Sequence, residues 1–381
     1  METAQAVNPL KALTKFGQSV WLDYIRRDMF ASGELANLIK EDGLRGMTSN
    51  PAIFEKAVSD SADYDAAIKA LSEKPVELIT LYENLAIEDV QKAADLFKPV
   101  YDETKKKDGY VSLEVSPYLA FDKQGTIAEA QRLWKTVGRP NVMIKVPGTK
   151  EGVLALEDLI AEGININVTL LFSKNVYEQV AQTYIKGLER FAAKGGDVST
   201  VASVASFFIS RIDTGVDNLI NEHLKSSNDH DEKSRLQSLL GQIAIANARI
   251  TYQLYKQIIS QPDWLALSKK GAMPQRLLWA STGTKNPKYS DVYYVDELIG
   301  PDTVNTIPPA TYKAFRDHGK IVDTLEFKVE ESHILLSNLE KSGIALESVC
   351  AQLVTDGVKL FADAFDKLFA VLEKKKSLNE K

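Results

Sequence analysis

The chain has 381 residues, 44% hydrophobic and 26% charged, with a formal net charge of −6. That composition excludes a disordered chain and supplies ample material for a core. The mixed, mildly acidic charge argues against bulk nucleic-acid binding, and a single cysteine, Cys350, excludes an intramolecular disulfide framework or a multi-cysteine metal site.

Taken in chain order, short β-rich runs alternate with helical patterns. Strands are predicted at 19–24, 44–48, 110–115, 141–146, 164–170, 200–206, 276–281 and 303–307. Helical periodicity marks 63–71, 75–97, 125–138, 151–161, 173–194, 234–260 and 309–318. Repeated βα units imply a parallel sheet, and eight of them suffice to close a (β/α)8 barrel. The rival is an open doubly wound sheet, but no G-x-G-x-x-G follows a strand.

Two stretches exceed a minimal barrel. Residues 212–262 carry the polar "NEHLKSSNDHDEKSR" and then a long amphipathic helix. Residues 325–381 form a helical tail in which Leu360, Phe361, Phe365, Leu368 and Phe369 recur at helical spacing, the mark of a core-facing stripe. No Pro/Gly-rich linker, internal repeat or low-complexity segment divides the chain. The expectation is one elaborated domain over 1–381. The four histidines have no ligand spacing, so no metal site is expected. No stretch reaches the ~18 apolar residues of a membrane span. "METAQAVNPLKALTKF" has no signal-peptide core. With the cysteine usage, this points to a cytoplasmic protein.

The strands do not read as continuous apolar runs, the usual mark of a parallel sheet buried on both faces. Val20, Leu22 and Tyr24 oppose Ser19, Trp21 and Asp23. Val111, Leu113 and Val115 oppose Ser112, Glu114 and Ser116. Val142, Ile144 and Val146 oppose Asn141, Met143 and Lys145. Ile164, Ile166, Val168 and Leu170 oppose Asn165, Asn167 and Thr169. A half-exposed sheet accounts for one such strand. A polar barrel interior accounts for four, and it places Asp23, Glu114, Lys145 and Thr169 near the C-terminal strand ends, where barrel enzymes do chemistry. Desolvation of a lysine disfavours its ammonium and favours a nucleophilic amine, while nearby carboxylates act the other way. A buried amine beside acids suits Schiff-base chemistry on a carbonyl. Taken alone, without the neighbouring strand patterns, Lys145 reads as a structural ion pair with Asp23 or Glu114.

Seven segments in order, "WLDYIRR", "TSNPAIF", "LEVSP", "MIKVPGTKEG", "INVTLLFS", "SFFISRID" and "WASTGTKNP", carry a resemblance. The chain resembles transaldolases of the longer bacterial type, Schiff-base enzymes on a (β/α)8 TIM barrel, here with extra helices and a helical C-terminal extension. The resemblance implies that Lys145 forms the Schiff base, Asp23 is the acid/base, and Glu114 and Thr169 assist through a water. Asn50 and Asn167 match residues that hold substrate hydroxyls. Ser206, Phe208 and Arg211 match the phosphate site, and Ser281 a further serine. Where many members carry an arginine soon after that serine, this chain has Lys285, which binds phosphate as a point charge and not as a planar fork.

The implied reaction needs no cofactor or metal, and its partners are sugar phosphates, with neither nucleic acid nor membrane. A dihydroxyacetone unit passes from a ketose phosphate (fructose 6-phosphate or sedoheptulose 7-phosphate) to an aldose phosphate (erythrose 4-phosphate or glyceraldehyde 3-phosphate), in the pentose phosphate pathway. The alternative is a fructose-6-phosphate aldolase that releases free dihydroxyacetone. In such aldolase relatives the glutamate is commonly glutamine, so Glu114 leans towards transfer. The resemblance also implies a C-terminal helix over the barrel mouth.

Overall fold

A computed structural model describes residues 8–379. Residues 1–7, part of the segment inspected above for a signal peptide, and 380–381, the end of the expected tail, lie outside the described residues. Eight parallel strands close into a barrel in chain order: β1 (Gln18–Asp23), β2 (Gly46–Thr48), β3 (Tyr110–Glu114), β4 (Val142–Pro147), β5 (Ile166–Leu171), β6 (Ser203–Phe208), β7 (Arg276–Ala280) and β8 (Thr303–Ile307). This is the (β/α)8 architecture expected. Each predicted strand overlaps an observed one. The largest displacement is in β6, which starts and ends later than 200–206 because Val198–Thr200 form a 3-10 turn capped by Asp197.

The alternating pattern has the meaning inferred for it. Val20, Val111, Val142, Ile144, Ile166 and Val168 are fully buried under the helices, each contributing roughly 1.5–3 kcal/mol of transfer free energy. The other face fills the barrel. At its floor Asp108 receives hydrogen bonds from Ser19 Oγ (2.7 Å), Trp21 Nε1 (3.3 Å) and Arg276 Nη2 (2.9 Å). Trp21 is accommodated because β2 opposite it carries Gly46, where a Cβ would lie 2.6 Å from the indole. Asn141 and Asn165 depart from the alternation. Both stand just before a strand and brace backbone instead: Asn141 donates to the Ala94 and Gly109 carbonyls, and Asn165 to those of Pro140 and Val142.

The single long helix expected over 234–260 is two, His230–Leu239 and Ile243–Ile258. The break is at Gly241, which has φ 69°. Its N–H donates to Asp217 Oδ1 at 3.0 Å and its carbonyl accepts from the Tyr293 hydroxyl at 3.0 Å. A Cβ there would lie 2.5 Å from the Tyr289 ring, so hydrophobic periodicity runs across a joint that tertiary contacts impose. Among the helices without a counterpart in the predicted ones, two adjoin the strand ends at the barrel mouth. Pro51–Ser59 starts from an Asn50 cap with proline at its first position, a start signal. Ser210–Ser226 follows β6 and opens the region read as 212–262.

The tail forms helices Val329–Lys341 and Leu346–Asn379. Phe361, Phe365 and Leu368 are buried, and Phe369 packs partly buried against the core. Leu360 does not belong to that stripe: it is 54% exposed, because it is offset from the face set by Phe361 and Phe365.

Candidate active site

The C-terminal ends of β1, β2 and β4 to β8 border a cavity of about 170 Å3 lined by Asp23, Thr48, Asn50, Lys145, Thr169, Ser206, Phe208, Arg211, Ser281, Lys285, Thr306 and Phe361, among others. A larger hollow, about 750 Å3, opens on the outer side of the barrel near Tyr24, Asp42 and Tyr312. Its one fully buried acid, Asp42, already holds Asn8, Tyr312 and Arg316, whereas the barrel cavity gathers the reactive groups.

Lys145 lies in β4 with its side chain 5% exposed; Nζ is 3.3 Å from Glu114 Oε2, whose side chain is 7% exposed. The sheet sets this pairing, because Glu114 and Lys145 are register partners between β3 and β4. Nζ also donates to the Ser49 carbonyl at 3.0 Å, which fixes the amine between β2 and β4. Burial pushes the Glu114 carboxyl above its usual range, against the pull of the Lys145 ammonium.

Asp23 ends β1. Thr48, its register partner on β2, donates from Oγ1 to Asp23 Oδ1 at 2.7 Å and meets Thr306 Oγ1 at 2.6 Å. Burial raises the Asp23 carboxyl as well, opposed by the Lys145 charge and the Thr48 hydrogen bond. Two acids whose carboxyls are raised by burial thus stand around one amine, placed to exchange protons at the cavity. Thr169, on β5, has its Oγ1 buried with no hydrogen-bond partner among the described residues.

Arg211 enters in the first turn of Ser210–Ser226, a helix N-terminus that itself favours an anion. Its guanidinium carbon stands 5.2 Å from the centre of the Phe208 ring, and its Nη1 is buried without a partner among the described residues. Phe208 therefore orients the arginine and itself offers no donor. Lys285 reaches the same cavity from the exposed rim. The rim holds two non-glycine residues in the left-handed region, Leu170 (φ 60°) and Ser281 (φ 56°), at a cost of order 1–3 kcal/mol each. Leu170 lies in the irregular register between Val168 and Leu171 of β5, and Ser281 Oγ is 2.9 Å from Ser210 Oγ.

The structure thus brings Lys145, Asp23, Thr169, Asn50, Ser206, Phe208, Arg211, Ser281 and Lys285 to one cavity, with Glu114 in contact through Lys145. Asn167 sits one step below the lining: it donates to Ser112 Oγ at 3.1 Å and accepts from Ser206 Oγ at 2.6 Å. Sequence reading passed over Thr48, the Ser49 carbonyl, Thr306 and Phe361. The period-two rule reaches Thr48 and Thr306, which end or nearly end their strands on the inward face. A backbone carbonyl leaves no residue signature, and Phe361 was one of several equivalent aromatics in the tail.

The sequence model of the family described as Transaldolase/Fructose-6-phosphate aldolase matches residues 20–372. The Transaldolase of Trichodesmium erythraeum is 50% identical over 370 residues, 97% of each chain. Transaldolase 2 of a Nostoc species is 48% identical over 376 residues, 98% of this chain and 99% of its own. The Transaldolase of Thiobacillus denitrificans is 44% identical over 364 residues, 96% and 99% of the two chains. The chain belongs to the transaldolase/fructose-6-phosphate aldolase family. The shared name of these relatives makes it an enzyme of the transferase kind and favours transaldolase over the simple aldolase. Such an enzyme takes sugar phosphates. No described helix is long and apolar enough to cross a membrane.

Proposed function

We propose that the chain transfers a dihydroxyacetone unit between sugar phosphates through a Schiff base on Lys145. The observation that carries this reading is the buried contact between Lys145 Nζ and Glu114 Oε2 at the mouth of the barrel. A buried amine whose proton has an adjacent acceptor attacks the C2 ketone of fructose 6-phosphate or sedoheptulose 7-phosphate. Glu114 and Thr169 direct the protons that convert carbinolamine to iminium, with loss of water. The iminium accepts the electron pair of the C3–C4 bond. Asp23 takes the C4 hydroxyl proton as that bond breaks, and the aldose phosphate leaves as an aldehyde.

The three-carbon enamine stays on Lys145 until a second aldose phosphate accepts it, and Asp23 returns the proton. Arg211, Ser206 and Lys285 bind the phosphate of donor and acceptor alike, Asn50 meets hydroxyls, and Asn167 steadies Ser206. No cofactor enters this scheme. The reading takes the whole chain, 1–381, as one elaborated domain serving this site, with 212–262 and 325–381 as helical additions. It places the enzyme in the cytoplasm and in the pentose phosphate pathway, as the relatives' name and the cysteine usage suggest.

Borohydride trapping with fructose 6-phosphate, followed by peptide mass mapping, tests it. The expected product is a reduced three-carbon adduct on Lys145; an adduct on another lysine, or none, rejects the assignment.

A further inference from the structure

The C-terminal helix, Leu346–Asn379, brings to the cavity an aromatic ring that the scheme above leaves unused. The helix is held at both ends. Near its start the Glu347 carboxylate accepts from Ser173 Oγ at 2.7 Å, and Cys350 Sγ donates to the Phe172 carbonyl at 3.4 Å. Farther along, Phe365 stacks edge-on against Tyr82 at 5.1 Å, and Lys375 donates to Asp65 at 2.6 Å.

Between these anchors the helix passes very close to the site. At Gly357 a Cβ would lie 2.8 Å from Leu170 Cδ2 and 3.5 Å from Arg211 Nη1. Glycine inside a helix is unfavourable relative to alanine, and here it permits the close approach. One turn later Phe361, 7% exposed, lines the cavity with its ring centre 6.0 Å from Lys145 Nζ. Helical phase selects it: its neighbour Leu360 faces solvent.

A ring in this place has two effects on whatever Lys145 carries. It is an apolar wall that displaces water, and its face favours a cation within about 6 Å. Both bear on the fate of the three-carbon adduct. In hydrolysis the enamine takes a proton on carbon and becomes an iminium. The oxygen of one water then adds to C2; one of its protons passes to Nζ, and the other returns to the acid that protonated the carbon as the carbonyl forms. The C–N bond breaks with its electron pair going to Nζ, so dihydroxyacetone and free Lys145 result. In transfer the same enamine carbon attacks an aldose instead. The competition is set by how readily water reaches C2.

We propose that Phe361 determines this partition, its ring shielding the Lys145-bound unit from water so that transfer prevails over release. This rests on the Schiff-base reading above. The test measures dihydroxyacetone released from fructose 6-phosphate without acceptor, as a ratio to transfer onto erythrose 4-phosphate. Borohydride trapping is run in parallel on wild type, Phe361→Ala and Phe361→Leu. The ratio rises about tenfold in Phe361→Ala and about threefold in Phe361→Leu, which keeps an apolar side chain in the helix. The adduct still forms on Lys145 in both.

An unchanged ratio, within about twofold of wild type, in whichever variant shows native circular dichroism and melting, overturns the proposal. The leucine variant decides the matter alone should the alanine variant not fold. A wild-type enzyme that traps no adduct on Lys145 refutes instead the Schiff-base reading, and the role of Phe361 with it.

Discussion

Lys145 and Glu114 form an ion pair at 3.3 Å with side chains only 5% and 7% exposed. They are register partners on adjacent strands, so the distance belongs to the sheet and not to flexible side chains. Replacing Glu114 with glutamine removes the titratable base next to the amine but preserves its shape. Stopped trapping with borohydride should show adduct formation slowed about 10²-fold, as for loss of a positioned acid–base group. An adduct forming at the wild-type rate removes Glu114 from the dehydration step.

Asp23 acts later in the scheme, so its loss has a different signature. Asp23→Asn should form the Lys145 adduct at near the wild-type rate while cleavage of C3–C4 drops by about 10²–10⁴. The acid limb of kcat/KM for the wild type should lie above the ordinary aspartate range, because burial raises this carboxyl and the base must be ionised. Activity therefore rises with pH through that limb. Wild-type-like turnover in the asparagine variant excludes Asp23 as the base.

The proposed phosphate site pairs a buried cation with an exposed one. Arg211 has a buried Nη1 without a partner among the described residues. Arg211→Ala should raise KM for phosphorylated substrates by about 10- to 100-fold, the worth of charged hydrogen bonds. Arg211→Lys should recover only part of this, having lost the planar fork. Lys285, exposed at the rim, should cost less than about tenfold on conversion to alanine, with an effect that fades as salt is raised. Equal, salt-independent losses at both positions contradict this division.

At the opposite end of the barrel Asp108 and Arg276 are a structural pair, with side chains 6% and 5% exposed. Burial alone would raise Asp108, but the Arg276 charge and hydrogen bonds from Ser19 and Trp21 hold it below its usual value. Asp108→Ala strands the guanidinium without its counter-charge and should cost about 3–5 kcal/mol in denaturant unfolding. A loss under about 1 kcal/mol would mean that water compensates Arg276.

Asp213 offers a pH test of stability outside the cavity. It accepts from the Ala244 N–H at 2.7 Å and the Tyr294 hydroxyl at 2.9 Å, and burial pushes its carboxyl up to about 7. Below the ordinary value of 3.8 the group is protonated whether the chain is folded or not. Between that value and about 7 only the folded chain holds the proton. Its contribution to stability is therefore complete at low pH and is lost as pH rises through the folded value. The stability of Asp213→Asn relative to wild type should grow by roughly 1.4 kcal/mol per pH unit across this window and then level off. A difference independent of pH shows that the carboxyl titrates normally.

Sequence and tertiary structure contributed different parts. The amino-acid order alone determined the alternation of strands and helices, the inward and outward faces, and the positions of Lys145, Asp23, Glu114 and Thr169 near strand ends. Local periodicity and backbone geometry control these, and the motif order carries the likeness to the family. The helix break at Gly241, the backbone tasks of Asn141 and Asn165, the place of Asn167 beneath Ser206 and the arrival of Phe361 over Lys145 were decided only by the folded chain. Each depends on contacts between residues distant in sequence, whose close approach follows from closing the ring and docking the last helix on it, and no local pattern encodes that distance.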